Sequence, residues 1–369
     1  MSQAAAIGAV GTGSRTESAM ADGRRHIRYL DGLRGIAILL VIMIHTSQIV
    51  PGLPTPVRNL TFYGVRGVQL FFIVSGLTLT ISHRDKVFHL ANFAARRFFR
   101  IAPMFYLGAV LYVGLGLVTH LRFAPQNPTW SEVLATLTFV HGWSVEANNK
   151  IVPGGWSIAA EAMFYVLFPI LLKLSTRPRR FTILVVLIYI VAGATYFGLR
   201  KFLPGDPVQI QTFALNFWLC QLPAFASGCW IALGIGQGRL SRRNAGLVAA
   251  AAVAAMVVDS QLRGHSNLLV SIALLSIFVR AVADARPAFL EGKVMPLIGE
   301  ISFSLYILHF LAVALLALVA RPIGQTLGWA PTFLLFYFTI VAVAGAFAYA
   351  SFRWIEAPFI RLGRNLFRH

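Results

Sequence analysis

Ten runs of about 17 or more predominantly apolar residues divide this chain, near 33–50, 66–82, 101–119, 155–174, 181–199, 213–234, 245–262, 266–283, 302–320 and 331–351. Runs of that length cross a hydrocarbon core of about 30 Å as helices, because a helix satisfies its own backbone N–H and C=O groups where no water can. Composition agrees: 57% of the 369 residues are hydrophobic and 12% charged, with the charge gathered between the runs. The expected fold is all-α, a polytopic transmembrane helical bundle of about ten spans with no appended soluble domain. Residues 1–26 open with Ala, Gly, Ser and Thr and hold no apolar signal segment, so they are expected to form a disordered cytoplasmic tail ahead of a membrane domain at 27–365.

Positive charge orients the bundle. With the N-terminus inside, 23 of the 32 Lys and Arg residues fall in the tails and even-numbered loops, eight fall outside, and Arg34 stands at the first membrane crossing. An even number of spans then leaves both termini cytoplasmic, and an inner (plasma) membrane of a bacterium is the expected location. The formal charge of +19 follows from this topology, with attraction to anionic membrane lipid as a by-product. No module of interleaved aromatic and basic residues suggests nucleic-acid binding. Cys220 and Cys229 lie nine apart on one predicted helix and so on opposite faces, which argues against a mutual disulfide and against a metal site.

Ionisable groups inside the runs point to chemistry, since each costs roughly 2.5–3.5 kcal/mol at a helix centre on insertion scales. Arg34 and His45 are eleven residues apart, which returns the helix to nearly the same face about 16 Å further along, and Asp31 sits one turn before Arg34. Gln69 opens the second span among glycines, suited to hydrogen bonding across helices. Arg96, Arg97 and Arg100 lead into the third span, either as a positive-inside anchor or as a clamp whose guanidinium forks match phosphate oxygens. Ser157, Glu161 and Tyr165 recur every four residues on the fourth span; Ser302, Tyr306 and His309 share one side of the ninth. Counting 1.5 Å per residue from opposite membrane edges brings His45 and Glu161 to similar depth, where a carboxylate can support an imidazole base. The Glu356-Ala357-Pro358 segment reads as a boundary stop and is assigned no chemistry.

Together Leu-Asp-Gly-Leu-Arg-Gly with its later His, Gly-Val-Gln-Leu-Phe-Phe-Ile-Val-Ser-Gly, Arg-Arg-Phe-Phe-Arg-Ile-Ala-Pro, Trp-Ser-Ile-Ala-Ala-Glu, Ser-Phe-Ser-Leu-Tyr-Ile-Leu-His and Glu-Ala-Pro resemble, in order and spacing, the acyltransferase family 3 membrane proteins over residues 27–365. The resemblance implies a ten-helix O-acyltransferase that moves an acyl group, often acetyl from acetyl-CoA, onto a hydroxyl of a cell-envelope carbohydrate or glycolipid. Acyl-CoA is then a co-substrate, with no bound cofactor or metal expected. It further implies His45, Arg34 and Glu161 as catalytic residues, Arg96, Arg97 and Arg100 as donor-binding residues, and Asp31, Gln69, Ser157, Tyr306 and His309 in support. Many members carry Asp where this chain has Gln69. His45 could act as general base or be transiently acylated itself. The alternative is a ten-helix transporter or flippase of a polar envelope precursor, which would also need buried Arg, His and Glu.

The charge distribution makes a direct prediction. Single cysteines near Asn148 and Gly205 should react with an impermeant thiol reagent added outside, and cysteines near Arg179 and Arg242 only after permeabilisation; swapped labelling would invert the topology.

Overall fold

The computed structural model describes residues 10–119, 121, 123, 127–235, 240–263 and 267–367, with side chains from Arg28 onward except that of residue 263. No strand occurs among the described residues. The principal helices are α1 (Val10–Ser47), α2 (Gly67–His83), α3 (Leu90–Val118), α4 (Trp156–Ser175), α5 (Pro178–Phe202), α6 (Trp218–Gly234), α7 (Arg242–Arg263), α8 (Leu268–Ala285), α9 (Val294–Glu300), α10 (Ser302–Ala317), α11 (Trp329–Ser351) and α12 (Ala357–Leu366). Among these residues nine helices are long and apolar enough to cross a membrane, or ten if the bent pair α9 and α10 is one span.

Three features depart from the sequence expectation. The backbone from Val10 is helical and runs straight into the first span, where a disordered tail is expected; residues 1–9 lie outside the described residues. An Ala-containing segment joined to an anchored helix needs no new nucleus, so helix propagates into it. The ninth apolar run is broken at Ile301, where α9 and α10 meet at 80°. The tenth continues past Ser351 through a π-helical turn, Phe352–Glu356, into α12. That turn adds a residue to the helical repeat immediately before Pro358, whose ring and missing N–H are tolerated in the first turn of α12.

Close backbone approach holds the centre together. The most extensive helix pairs are α2 with α6 and α1 with α9. Between α2 and α6 a methyl group at Gly228 would run into the Ile73 carbonyl oxygen, so only glycine permits this crossing. In lipid, where apolar surface alone gives little drive to associate, such contacts supply van der Waals energy that larger residues would block. Aromatic stacking extends the seam into α4: Phe164 lies 4.0 Å from Phe225 between ring centroids, and Phe225 lies 4.3 Å from Phe72. Each such pair contributes about 0.5–1.5 kcal/mol beyond the area it buries. Cys220 and Cys229 are both free and buried, donating to carbonyls of α5 and α2 respectively.

Overpacking this seam should be measurable. Gly228→Ala should destabilise the purified protein by about 1–3 kcal/mol and lower its Tm. Gly345→Ala, where an added methyl meets nothing within 4 Å, should not lower it. Equal Tm values for the two variants would contradict the assignment of Gly228 to the seam.

Candidate active site

A cavity of about 580 Å³ opens among α1, α2, α3, α4, α9, α10 and α12. Five arginines line it, Arg34, Arg97, Arg100, Arg361 and Arg364, against three carboxylates, Asp31, Glu161 and Glu300. Ser75, Thr78, Ser157, Ser302, Tyr165 and Tyr306 add hydroxyls, and Phe71, Phe72 and Phe303 add apolar wall.

Arg34 is fixed by two contacts. Its Nη1 donates to Asp31 Oδ1 at 2.6 Å and its Nη2 to Thr78 Oγ1 on α2 at 3.0 Å. Asp31 and Arg34 are one helical turn apart, so the pair forms within α1, and the bond to Thr78 fixes it against the neighbouring helix. Glu161 accepts from Ser75 at 3.0 Å and from Tyr165 at 2.7 Å, both on Oε1. Its Oε2 has no hydrogen-bond partner among the described residues. Arg97 lies 5.9 Å from the Tyr165 ring centroid and 6.0 Å from that of Phe93, cation–π geometry that covers one guanidinium face. Arg100 makes no hydrogen bond or ion pair among the described residues.

The inner end of the cavity is set by Tyr306. Its hydroxyl donates to the Gly154 carbonyl at 2.9 Å and accepts from Ser157 Oγ at 3.0 Å. Gly154 has φ +76°, and a Cβ there would lie 2.5 Å from the Tyr306 oxygen, so both backbone conformation and space require glycine ahead of Trp156-Ser157. His141, in the loop between α3 and α4, is kept below the ordinary histidine range by burial; its Nε2 therefore carries the proton that bonds the Gly155 carbonyl at 2.9 Å and steadies this turn.

His45 does not line the cavity. Its ring rests 4.5 Å from Phe310 and 5.4 Å from His309, and its Nδ1 bonds Gln48 Oε1 at 3.0 Å. An amide oxygen can only accept, so the assigned amide orientation puts the proton on Nδ1 and the lone pair of neutral His45 on Nε2. His309 is fully buried and its Nδ1 donates to the Tyr306 carbonyl at 2.8 Å, leaving Nε2 as an acceptor with no partner among the described residues. Tyr306 thus touches both regions: its hydroxyl and ring face the cavity while its backbone holds the second imidazole.

The similar depth read for His45 and Glu161 does not bring them together. The two do not bond, because Glu161 is engaged by Ser75 and Tyr165 beside the arginines while His45 faces His309. The two side chains point into different parts of the bundle. Arg96 does not line the cavity with Arg97 and Arg100. Gln69 is also elsewhere: it is buried and donates to Gln221 on α6 at 2.8 Å, joining two helices. Sequence reasoning missed Arg361, Arg364, Glu300 and Glu356. Glu356 is buried, accepts from Ser304 at 2.9 Å, and its Oε1 has no hydrogen-bond partner among the described residues. The available signal was a lone carboxylate beside an apolar run, followed by two arginines at i,i+3 spacing.

Comparison with known proteins places this geometry. The acyltransferase 3 family model, described as an acyltransferase domain, matches residues 27–350. Among curated proteins, acyltransferase MdmB of Streptomyces mycarofaciens is 28% identical over 82% of this chain and 82% of its own length. O-acetyltransferase OatA of Staphylococcus aureus (strain NCTC 8325 / PS 47) is 25% identical over 93% of this chain but only 58% of its own length, so this chain spans little more than half of that relative. No solved structure matches.

Glu161 offers a clean separation of charge from packing. Glu161→Gln keeps an acceptor oxygen for both Ser75 and Tyr165 and should leave the Tm of purified protein near that of the wild type. Glu161→Ala strands two hydroxyls and should lower stability by about 1–3 kcal/mol. A Gln variant as unstable as the Ala variant would contradict these hydrogen-bond assignments.

Proposed function

This chain belongs to the acyltransferase 3 family, and on that premise we propose that it transfers an acyl group, acetyl in the first instance, from acyl-CoA to a hydroxyl of a cell-envelope carbohydrate or glycolipid. The chain is an integral-membrane O-acyltransferase; donor, acceptor, inner-membrane location and cytoplasmic termini are parts of this proposal. The observation that carries it is the surplus of guanidinium over carboxylate in one cavity at the end of the bundle assigned to the cytoplasm by positive charge. A phosphate-rich donor supplies the missing negative charge, and arginine forks suit phosphate oxygens.

In this reading the nucleotide lies among the arginines and the pantetheine arm runs inward past Glu161 toward Ser157 and Tyr306. Arg34, held by Asp31 and Thr78, serves as a fixed positive charge along that path. Neutral His45 takes the acceptor hydroxyl proton on Nε2 as the oxygen attacks the thioester carbonyl. A C–O bond forms, the C–S bond breaks, and the CoA thiolate leaves and recovers the proton from His45. His309, whose Nε2 is an acceptor beside this ring, favours the imidazolium that forms between the two proton transfers.

Donor and chemical roles separate kinetically. Arg97→Gln and Arg100→Gln should each raise KM for acyl-CoA about ten- to a hundredfold, the equivalent of one charge-assisted contact of about 1.5–3 kcal/mol, with a smaller effect on the acceptor. Lysine should restore only part, because a point charge lacks the planar fork. His45→Ala should abolish turnover while donor binding and Tm persist. Unchanged donor affinity in both arginine variants would reject the acyl-CoA site, and retained turnover in His45→Ala would reject the base.

A further inference from the structure

The last helix contributes two cations that the proposed donor site has not yet used. α12 begins with Pro358 in its first turn and is registered on α3 by Gly363, where a Cβ would lie 2.8 Å from the Phe99 Cβ. The Phe99 ring also lies 6.5 Å from that of Phe359 and 6.1 Å from that of Phe367. This contact is one residue from Arg100. On α12 the sides divide cleanly by helical angle: Phe359, Leu362 and Leu366 are exposed on one side, Gly363 meets Phe99, and Arg361 and Arg364 lie together on the side lining the cavity. Two packed helices therefore each present an i,i+3 pair of arginines to one space.

Neither Arg361 nor Arg364 makes a hydrogen bond or ion pair among the described residues. Both are exposed, whereas Arg97 and Arg100 are half-buried, so the α12 pair stands at the mouth and the α3 pair deeper. The cavity holds more guanidinium than carboxylate, so an anion with several charges placed between the two pairs gains attraction from both. A single phosphate would satisfy one pair and leave the other bare.

We propose that α12 completes the donor site, with Arg361 and Arg364 holding the ribose 3′-phosphate of coenzyme A at the cavity mouth while Arg97 and Arg100 face its diphosphate. The assignment rests on the acyl-CoA reading above. It follows from polarity along the cavity: the thioester must reach the inner end at Ser157 and Tyr306, so the phosphate furthest from it in the ligand meets the arginines furthest from that end. The free volume of about 580 Å³ falls within the range of ordinary ligand sites, and the family match ends at residue 350, before either arginine.

The test compares CoA with 3′-dephospho-CoA in direct binding to the purified full chain. Wild-type protein should prefer CoA by about tenfold or more. The Arg361→Gln/Arg364→Gln double variant should lose that preference by binding CoA more weakly and dephospho-CoA unchanged. Arg97→Gln should weaken both ligands alike. Should the glutamine pair fail to purify, Arg361→Lys/Arg364→Lys retains charge and helix propensity and should reduce the preference several-fold. A double variant, Gln or Lys, with the full wild-type preference overturns the assignment, as does one that weakens both ligands equally. Wild-type protein that binds neither ligand overturns the acyl-CoA reading itself; one that binds both with variants behaving as wild type leaves that reading standing and removes only the role of α12.

Discussion

Excess positive charge enclosed by membrane helices is the constraint from which the rest of the architecture follows. Arg34 stands at the first membrane crossing, Arg97 and Arg100 at the entry to the third span and Arg361 and Arg364 just beyond the last apolar run, and a guanidinium carried to a helix centre in lipid costs roughly 2.5–3.5 kcal/mol. The bundle turns every one of them toward a shared cavity that also holds three carboxylates. It treats them differently. Arg34 is neutralised by Asp31 and held by Thr78; Arg97 is covered by the rings of Phe93 and Tyr165; Arg100, Arg361 and Arg364 make no hydrogen bond or ion pair among the described residues. The first is a structural charge with a fixed position, and the last three are available to an anion.

The break between α9 and α10 belongs to the same solution. A continuous helix through Ile301 would carry Glu300 and Ser302 along one span. The 80° bend instead brings Gly299, Glu300, Ser302 and Tyr306 to one wall of the cavity. Packing of α9 against α1 permits it, because glycines on both helices let them approach closely: Gly35 of α1 meets the Met295 carbonyl and Gly299 of α9 the Asp31 carbonyl, while Gly32 meets the Leu290 carbonyl just before α9. A motif read from the chain as a charged stripe is thus equally a packing surface.

That double use explains what the sequence made legible. Span positions were readable because hydrocarbon thickness dictates them, and Arg34, Arg97, Arg100 and Glu161 stood out because each is ionisable within or beside an apolar run. Which groups meet was not readable, because that depends on the azimuth of one helix against another. Equal depth suggested Glu161 for His45, yet the ring opposite His45 is His309, on a helix whose tilt is set by the break at Ile301. Arg96 and Gln69 looked as suitable as their neighbours by type and spacing, and their helices turn them out of the cavity. Arg361 and Arg364 were counted only as positive-inside charge, since nothing local distinguishes a guanidinium at a cavity mouth from one in a tail. Glu356 was hidden by its place at an apparent helix stop, where the π-helical turn that buries it leaves no compositional mark.

Tyr306 joins the two halves of the site and also separates them. Its phenol is held at the Gly154 carbonyl and Ser157, which anchors the inner wall of the arginine cavity, while its carbonyl fixes the tautomer of His309 beside His45. In this state the cavity that suits a phosphate-bearing donor and the imidazole that suits a base lie on opposite sides of one side chain. In the proposed reaction a thioester among the arginines would reach the base only by passing Tyr306 and Phe71, whose rings lie 6.5 Å apart. Water entering the wide, charged end gains no activated oxygen there, because the imidazole is not exposed to that cavity. In the proposed reaction this partition would disfavour hydrolysis of the donor and keep the base for the acceptor hydroxyl.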